Sequence, residues 1–141
     1  MRLAAPRCMR KTELRISDLM TTALVTVKAS ETITSAHAEM QVGVIRHLPV
    51  VDDRGRLVGV LSDRDILHAH NGRKKIAEVM TRDVVTVRPD APAVAAASIM
   101  LDQKISSVLV VDEEGTLVGM VTQTDYLDLA RRSLLGLPLE R

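Results

Sequence analysis

Residues 57–67 read LVGVLSDRDIL, and sixty positions later residues 117–127 read LVGMVTQTDYL. In both stretches an apolar run ends at a hydroxyl residue, and a carboxylate follows three positions on, at Asp65 or Asp125. This order predicts a strand that enters a helix, with the hydroxyl near the helix N-cap. Each turn would bring a hydroxyl, a carboxylate and free backbone N–H groups together, a polar cluster that suits a polyol carrying phosphate.

The two stretches belong to a longer internal repeat. Residues 16–70 (copy one) align with residues 76–130 (copy two) without a gap, and about a third of the positions are identical. The matching pieces are Met20-Thr21 with Met80-Thr81, Val25-Thr26-Val27 with Val85-Thr86-Val87, and Val50-Val51-Asp52 plus Gly55 with Val110-Val111-Asp112 plus Gly115. A long period present twice predicts one duplicated supersecondary unit packed against its twin, since a solenoid needs three or more repeats.

Periodicity and turn residues predict the order β-α-β-β-α in each copy, an α+β (α/β) chain. In copy one we expect strands at 24–27, 48–51 and 56–61, and helices at 31–42 and 63–70, with Ser30 capping the first helix. In copy two the strands are expected at 84–87, 107–111 and 116–121, and the helices at 90–101 and 124–132. A short helical turn is expected at 16–20, begun by Ser17. Gly55 and Gly115 are expected to take positive φ in the hairpin turns.

Three segments flank or join the copies. Residues 1–15 form a basic N-terminal extension, residues 71–75 a polar linker, and residues 131–141 a C-terminal tail. The simplest interpretation of the basic extension is a solvated terminus. An alternative is a nucleic-acid contact, which predicts salt-dependent binding that is lost when residues 1–15 are removed.

Composition narrows the classes of function. The chain has 141 residues, 46% of them hydrophobic, with no Trp, no Phe and one Tyr, so an aliphatic core is expected in one compact domain or two intimate halves. Few aromatic rings and a net charge of +1 make nucleic acid an unexpected partner. A single cysteine, Cys8, and the lack of a membrane-length apolar run or a signal sequence predict a cytoplasmic protein.

Neither a metal site nor catalysis is expected. His37, His68 and His70 lack ligand spacing, because an i, i+2 pair points to different sides of a helix. No nucleophile is paired with an oriented base, so we predict that the protein is not an enzyme and needs no catalytic cofactor.

The ordered motifs resemble a known family. A Met-Thr pair before a Val-Thr-Val strand, Leu-Pro-Val-Val-Asp with a following glycine, and Gly-x-x-Ser/Thr-x-x-Asp together look like a cystathionine-beta-synthase domain (CBS domain), and two in tandem look like a Bateman module. The resemblance covers residues 16–130. It implies two tandem β-α-β-β-α CBS units packed about a pseudo-twofold axis, with an adenine nucleotide or adenosyl ligand (AMP, ADP, ATP or S-adenosylmethionine) in the cleft between them.

The resemblance also assigns the site residues. Ser62, Asp65, Thr122 and Asp125 would contact ribose, since a carboxylate can accept hydrogen bonds from both ribose hydroxyls. Without a ligand, Ser62 and Thr122 would cap the following helices, and Asp65 and Asp125 would be first-turn carboxylates stabilised by the helix dipole.

Phosphate would be contacted by cations. In copy one Arg46, His47 and Arg64 are suitably placed in sequence, while the matching residues of copy two are Ser106, Ser107 and Thr124. Lys28 and Arg88 could supply charge from the opposite unit, or could be solvated surface residues.

Two functions remain open. The first is a stand-alone regulatory sensor whose ligand shifts a surface that a protein target reads. The second is a structural dimerisation or adaptor module with degenerate ligand sites. In either case we expect a homodimer, through an apolar helix surface including Val79, Ile99 and Met100.

Overall fold

The computed structural model describes residues 14–43, 45–69 and 71–139. Within this part of the chain lie five α-helices, six strands and one 3-10 turn at Ile76–Glu78. The first half contains α1 (Ile16–Leu19), β1 (Val27–Lys28), α2 (Ile33–Gly43), β2 (His47–Val51), β3 (Leu57–Ser62) and α3 (Asp63–Ala69). The second half contains β4 (Thr86–Val87), α4 (Ala93–Gln103), β5 (Ser107–Val111), β6 (Leu117–Thr122) and α5 (Gln123–Leu134).

The strands form two three-stranded sheets, ordered β1-β2-β3 and β4-β5-β6. β1 runs parallel to β2, with Val27 opposite Val50, and β3 runs antiparallel to β2. β4 likewise runs parallel to β5. The predicted β-α-β-β-α order and the α+β class are therefore confirmed.

The element ends differ from prediction by a few residues. β1 begins at Val27 rather than Leu24, because pairing with β2 starts only at Val50. α2 begins at Ile33, and the hydroxyl at its start is Thr32, which accepts the Ser35 N–H at 3.3 Å; Ser30 is not its cap. α1 already includes Ile16, one residue before Ser17.

Copy two shows similar shifts. β4 is limited to Thr86–Val87, and α4 starts after Pro92 and continues to Gln103. Helix α5 runs on to Leu134, so the first residues of the region predicted as a tail are helical. Most of the basic extension, with Cys8, lies outside the described residues, as does His70.

The chain divides into two compact units, each containing one sheet. The β1–β3 unit consists of Leu24–Val84 and Glu114–Leu117. The described part of the β4–β6 unit consists of 14–23, Val85–Glu113 and 118–139. The division therefore does not follow the sequence copies, because the opening residues of each copy lie in the unit built mainly from the other.

Backbone hydrogen bonds hold these opening segments in place. In the β4–β6 unit, Thr21 and Met120 exchange two bonds of 2.8 and 3.0 Å, and the Ala93 N–H donates to the Leu14 carbonyl at 2.7 Å. In the β1–β3 unit the repeat-related pair Thr81 and Val60 exchanges two bonds of 2.9 Å. Each opening segment thus adds to the edge of the last strand in its sheet.

The Met-Thr motif packs against the glycine of that strand. A Cβ on Gly59 would lie 2.8 Å from the Thr81 carbonyl oxygen and 2.8 Å from Met80 Sδ. A Cβ on Gly119 would lie 3.0 Å from the Thr21 carbonyl oxygen and 2.7 Å from Met20 Sδ. Only glycine allows the segment to approach this closely, so two motifs that are far apart in sequence form one contact.

Both cores are aliphatic, as predicted. The β1–β3 core consists of Val27, Ala36, Met40, Leu48, Val50, Leu61 and Ile76. The β4–β6 core consists of Leu14, Ile16, Leu19, Val87, Ala93, Ala96, Met100, Val108, Val110 and Val121. Of the residues predicted for a dimer surface, Met100 is buried in a core, which contradicts its surface position. Val79 and Ile99 are half-buried against the cores. The exposed apolar helix residues are instead Val42, Leu67, Val94, Leu101, Leu127 and Leu134.

The hairpin turns have the predicted left-handed glycines, with φ of 80° at Gly55 and 82° at Gly115. In copy one, Asp52 accepts the Arg54 and Arg56 backbone N–H groups at 2.9 Å each. The backbone N–H of Arg56, assisted by its guanidinium, lowers the pKa of Asp52. These contacts hold a tight turn whose fourth residue needs positive φ.

Candidate ligand-binding turns

The β3–α3 turn brings Ser62 and Asp65 into a reciprocal cap. The Ser62 N–H donates to Asp65 Oδ2 at 2.9 Å, and the Asp65 N–H donates to Ser62 Oγ at 3.1 Å. This capping box satisfies two N–H groups that the first helical turn would leave unpaired. Both side chains are half-buried, and Asp65 Oδ1 has no hydrogen-bond donor among the described residues.

The β6–α5 turn repeats the arrangement with one difference. The Thr122 N–H donates to Asp125 Oδ2 at 2.8 Å, and the Thr122 hydroxyl donates to the same oxygen at 3.2 Å. Asp125 is only 8% exposed, the one buried charged residue in the described chain. Burial and two hydrogen bonds from Thr122 indicate that Asp125 stabilises the fold more than the less buried Asp65 does.

The copy-one cations lie at the same end of the sheet as Ser62. His47 faces Ser62 across the β2–β3 ladder, and the Asp63 N–H donates to the Arg46 carbonyl at 2.9 Å. Arg64 follows directly in the first turn of α3. The side chains of Arg46, His47 and Arg64 are exposed and have no ion-pair partner within the described residues. The structure thus places Arg46, His47 and Arg64 at the same end of the sheet as the capped carboxylate of copy one.

Copy two lacks cations at the corresponding place. The Gln123 N–H donates to the Ser106 carbonyl at 3.0 Å, which reproduces the backbone contact of copy one. The side chains at the three matching positions are neutral: Ser106, Ser107 and Thr124. The two turns therefore share their backbone and differ in charge.

Lys28 and Arg88 are each placed beside a carboxylate. Lys28 Nζ lies 3.2 Å from Asp53 Oδ1, and Arg88 lies 3.4 Å from Glu113 Oε1. Lys28 faces Val51, four residues along β2 from His47, which separates it from the Ser62 end of its own sheet by about 13 Å. The structure does not bring these two cations to the turn of their own unit.

Sequence reasoning missed a cavity of about 460 Å³ on the helical side of the β1–β3 unit. It is lined by Ile33, Thr34, His37, Asp63, Ile66, Leu67, Asn71 and Gly72. The available signal was the replacement of Ile66 by Tyr126 between the copies, at a position shared by two otherwise similar helices.

The described residues contain neither a cluster of metal ligands nor a helix that could span a membrane. Residues 14–43, 45–69 and 71–139 contain no group of three or more His, Cys, Asp or Glu side chains that could hold a metal ion. Within the same ranges, no helix combines the length and apolarity needed to span a membrane.

Comparison with known proteins identifies the repeat. The family model described as CBS domain matches twice, at residues 16–72 and 76–132. A homoserine O-acetyltransferase of Methanococcoides burtonii is 38% identical over 115 residues, which are 81% of this chain and 24% of that protein. A CBS domain-containing protein of Dictyostelium discoideum is 31% identical over 138 residues, covering 87% of this chain and 95% of the relative. The chain thus spans about a quarter of the first relative and nearly all of the second.

Solved structures share the fold and were obtained with adenosyl ligands. The CBS domain pair of protein MJ0100, in complex with 5′-methylthioadenosine and S-adenosyl-L-methionine, is 34% identical with a TM-score of 0.73, covering 85% of this chain and 98% of that one. CBSX2 in complex with AMP is 29% identical with a TM-score of 0.77, covering 85% and 98%. The cytosolic domain of the Mg²⁺ channel MgtE in complex with ATP is 40% identical with a TM-score of 0.72, covering 79% and 46%. The chain belongs to the CBS-domain family and carries two CBS domains in tandem.

Proposed function

We propose that the chain is a non-catalytic regulatory module that binds an adenine nucleotide or related adenosyl ligand at its strand-to-helix turns. The carrying observation is the β3–α3 turn, where a half-buried carboxylate has one oxygen without a donor among the described residues. The same end of the sheet carries Arg46, His47 and Arg64, whose exposed side chains have no ion pair within that part of the chain. A carboxylate oxygen accepts hydrogen bonds from ribose hydroxyls, and positively charged side chains at the same end of the sheet attract phosphate. Asp65 and Ser62 would contact ribose, and Arg46, His47 and Arg64 would contact phosphate.

The β6–α5 turn supports a weaker version of the same site. Thr122 and Asp125 offer the ribose contacts, but Ser106, Ser107 and Thr124 offer no positive charge. We therefore expect this turn to favour an adenosyl ligand without phosphate, if it is occupied. Lys28 and Arg88 would have to leave Asp53 and Glu113 before they could serve a phosphate.

The relatives support the ligand class. The three solved structures described above hold AMP, ATP, or 5′-methylthioadenosine with S-adenosyl-L-methionine. All of these ligands contain adenosine or a derivative of it, and they differ in phosphate content. The charge asymmetry between the two turns would let this chain distinguish them.

Calorimetric titration of the full chain with adenosine, AMP, ATP and S-adenosylmethionine tests the proposal. We expect saturable binding, with ATP or AMP favoured over adenosine because of the copy-one cations. Thermal unfolding should agree, since a ligand at one hundred times its Kd adds about 2.7 kcal/mol to the free energy of unfolding. No binding by any of the four would contradict the proposal.

The second candidate is a dimerisation or adaptor module, favoured by exposed leucines at one repeat position of α3 and α5. Leu67 is 76% exposed and Leu127 is 72% exposed. An apolar residue repeated on both copies is a plausible contact for a second chain. We propose a homodimer through these helices, and light scattering at micromolar concentration should give twice the chain mass. A dimer that binds none of the four ligands would favour this candidate over the first.

A further inference from the structure

The Met-Thr motif, which the proposed function does not use, places one methionine on a strand glycine in each unit. A Cβ on Gly59 would lie 2.8 Å from Met80 Sδ, and a Cβ on Gly119 would lie 2.7 Å from Met20 Sδ. Each sulfur therefore lies against the strand backbone, in the space that the glycine leaves. The thioether sulfur is also the atom of a methionine side chain that oxidants attack.

Two repeat-related pairs of methionines differ in burial. Met40 and Met100 are each 4% exposed and belong to the two cores. Met20 and Met80 are half-buried and pack against the same cores as partly exposed residues. A dissolved oxidant must reach the sulfur, so Met20 and Met80 should react before Met40 and Met100.

The backbone N–H groups at these contacts are already used. Val60 and Thr81 exchange two hydrogen bonds of 2.9 Å, and Thr21 and Met120 exchange bonds of 2.8 and 3.0 Å. All four N–H groups therefore donate to carbonyls of the same segment contact. None of them can satisfy a new acceptor without giving up a bond that holds an opening segment to its strand.

An oxygen added to the sulfur would be such an acceptor. Met80 Sδ and the Thr81 carbonyl oxygen each lie 2.8 Å from the position of a Gly59 Cβ. A sulfoxide oxygen would bring an acceptor next to an acceptor, and it would make a packed apolar side chain larger and polar. The sulfoxide should therefore push the opening segment away from the strand.

We propose that Met20 and Met80 are sites of reversible oxidation by peroxide, and that each sulfoxide releases the opening segment from β6 or β3. In this step the O–O bond of hydrogen peroxide breaks, one oxygen forms the S=O bond, and water leaves. The sulfur is oxidised by two electrons and the peroxide is reduced. A methionine sulfoxide reductase, with a thiol as reductant, reverses the step. The contact between each opening segment and its strand would then respond to oxidants.

Peptide mass spectrometry of the full chain, after mild treatment with hydrogen peroxide, tests the reactivity. Sulfoxide should form at Met20 and Met80 at least about fivefold faster than at Met40 and Met100. Equal rates at the two pairs would overturn the proposal, and so would the absence of sulfoxide at Met20 and Met80.

Hydrogen exchange followed by NMR tests the release of the segments. In the oxidised chain the amide protons of Val60, Thr81 and Thr21 should exchange at least about tenfold faster than before treatment. Repair by reductases for both sulfoxide epimers should restore the slow exchange. Unchanged exchange in the oxidised chain would contradict the proposal, as would fast exchange that persists after repair. No nucleotide is added, so the result is independent of the nucleotide titration.

Leucine provides the matched variants, because it is close to methionine in volume and has no sulfur. After peroxide treatment, Met20→Leu should keep the exchange of Thr21 slow, while Val60 and Thr81 still exchange faster. Met80→Leu should give the opposite result. The double variant keeps every other methionine, and peroxide should leave its exchange rates at the three amides within about twofold of the untreated values. Faster exchange in the oxidised double variant would assign the effect to the other methionines and contradict the proposal.

Discussion

The β3–α3 and β6–α5 turns have the same backbone and different surroundings. In both, a carboxylate three residues after a hydroxyl accepts that residue's N–H, at 2.9 Å in copy one and 2.8 Å in copy two. The Asp65 end of its sheet carries the exposed Arg46, His47 and Arg64, whereas Asp125 is 8% exposed and the matching positions are Ser106, Ser107 and Thr124. Both copies therefore have the same helix cap, which stabilises the fold. Ligand preference would have to come from the neighbours, which the copies do not share.

The helices that follow the two turns differ as well. α3 ends at Ala69, but α5 continues to Leu134. Arg131 and Arg132 both pair with Asp128, at 2.6 and 3.2 Å, where copy one has the linker residues Asn71 and Gly72. Paired charges three and four residues apart support the longer helix. Five experiments test how the two copies differ in stability and ligand binding.

The largest effect is expected from closing the glycine contacts that both copies share. Gly59→Ala and Gly119→Ala should each lower the free energy of unfolding by about 2–3 kcal/mol, because the new Cβ meets a backbone carbonyl that cannot rotate away. The loss should be larger at Gly59, where the oxygen is at 2.8 Å rather than 3.0 Å. Urea unfolding measures both. Ser98→Ala, at an exposed position of α4, is the control, and wild-type stability of both glycine variants would refute the contact.

The carboxylates should separate ligand binding from capping. Asp65→Ala should weaken ATP binding by roughly 1.5–3 kcal/mol, the range for a hydrogen bond to a charged group. Asp125→Ala should matter less for ATP and cost more stability, because Asp125 is buried and accepts both the N–H and the hydroxyl of Thr122. Calorimetry and thermal unfolding of both variants give the two values. Equal losses in ATP affinity would mean that the charge asymmetry does not govern binding.

The hairpin glycines should behave alike in the two copies. Gly55→Val and Gly115→Val should each destabilise by about 1 kcal/mol or more, since a β-branched residue is strained at positive φ. A Gly115 Cβ would meet no atom within 4 Å, and a Gly55 Cβ would meet only the Thr116 methyl at an ordinary 3.8 Å, so backbone strain is the main effect tested. Asparagine tolerates this conformation better, and Gly→Asn should recover part of the loss in urea unfolding. Wild-type melting of both valine variants would contradict the turn assignment.

The copy-one arginines should affect phosphate and not adenosine. Arg46→Ala and Arg64→Ala should each weaken ATP about fivefold, or about 1 kcal/mol for an exposed charge, and leave adenosine within about twofold. Calorimetric titration with both ligands measures the ratio. Arg54→Ala removes an exposed guanidinium from the hairpin turn and is the matched control. Parallel losses for ATP and adenosine would show that the arginines act on the fold instead.

The smallest effect concerns the α5 ion pairs. Hydrogen bonds from Arg131, then from Arg132, lower the pKa of Asp128. The stabilisation is therefore complete above the unfolded-state value of about 3.9, and it is lost as the pH falls through the lowered folded-state pKa. Asp128→Asn should have a slightly lower Tm than wild type at pH 6, and the gap should close at acidic pH. A gap that is constant with pH would exclude the ionised pair as its cause.

The sequence by itself determined the repeat and the local structure within it. The β-α-β-β-α order, the left-handed Gly55 and Gly115 and the aliphatic core all follow from short-range spacing and composition. The strand-to-helix order also predicted Ser62 and Thr122 near the helix N-caps. Their backbone bonds to Asp65 and Asp125 were not predicted, although both partners lie within one helical turn. Element ends could not be predicted as closely, because the start of β1 at Val27 is set by where it begins to pair with β2, at Val50.

The tertiary structure was needed to show which opening segment packs against which strand. The Met80–Gly59 and Met20–Gly119 contacts join each opening segment to the strand of the other copy, and no local pattern indicates such an exchange. The same reason explains Met100, whose helical spacing fits a core or a surface equally well until its neighbours are known. The ion pair of Lys28 with Asp53 likewise depends on the fold and has no signal in the local sequence. Distance along the chain does not limit contacts of this kind, so they depend on how the strands pair and pack.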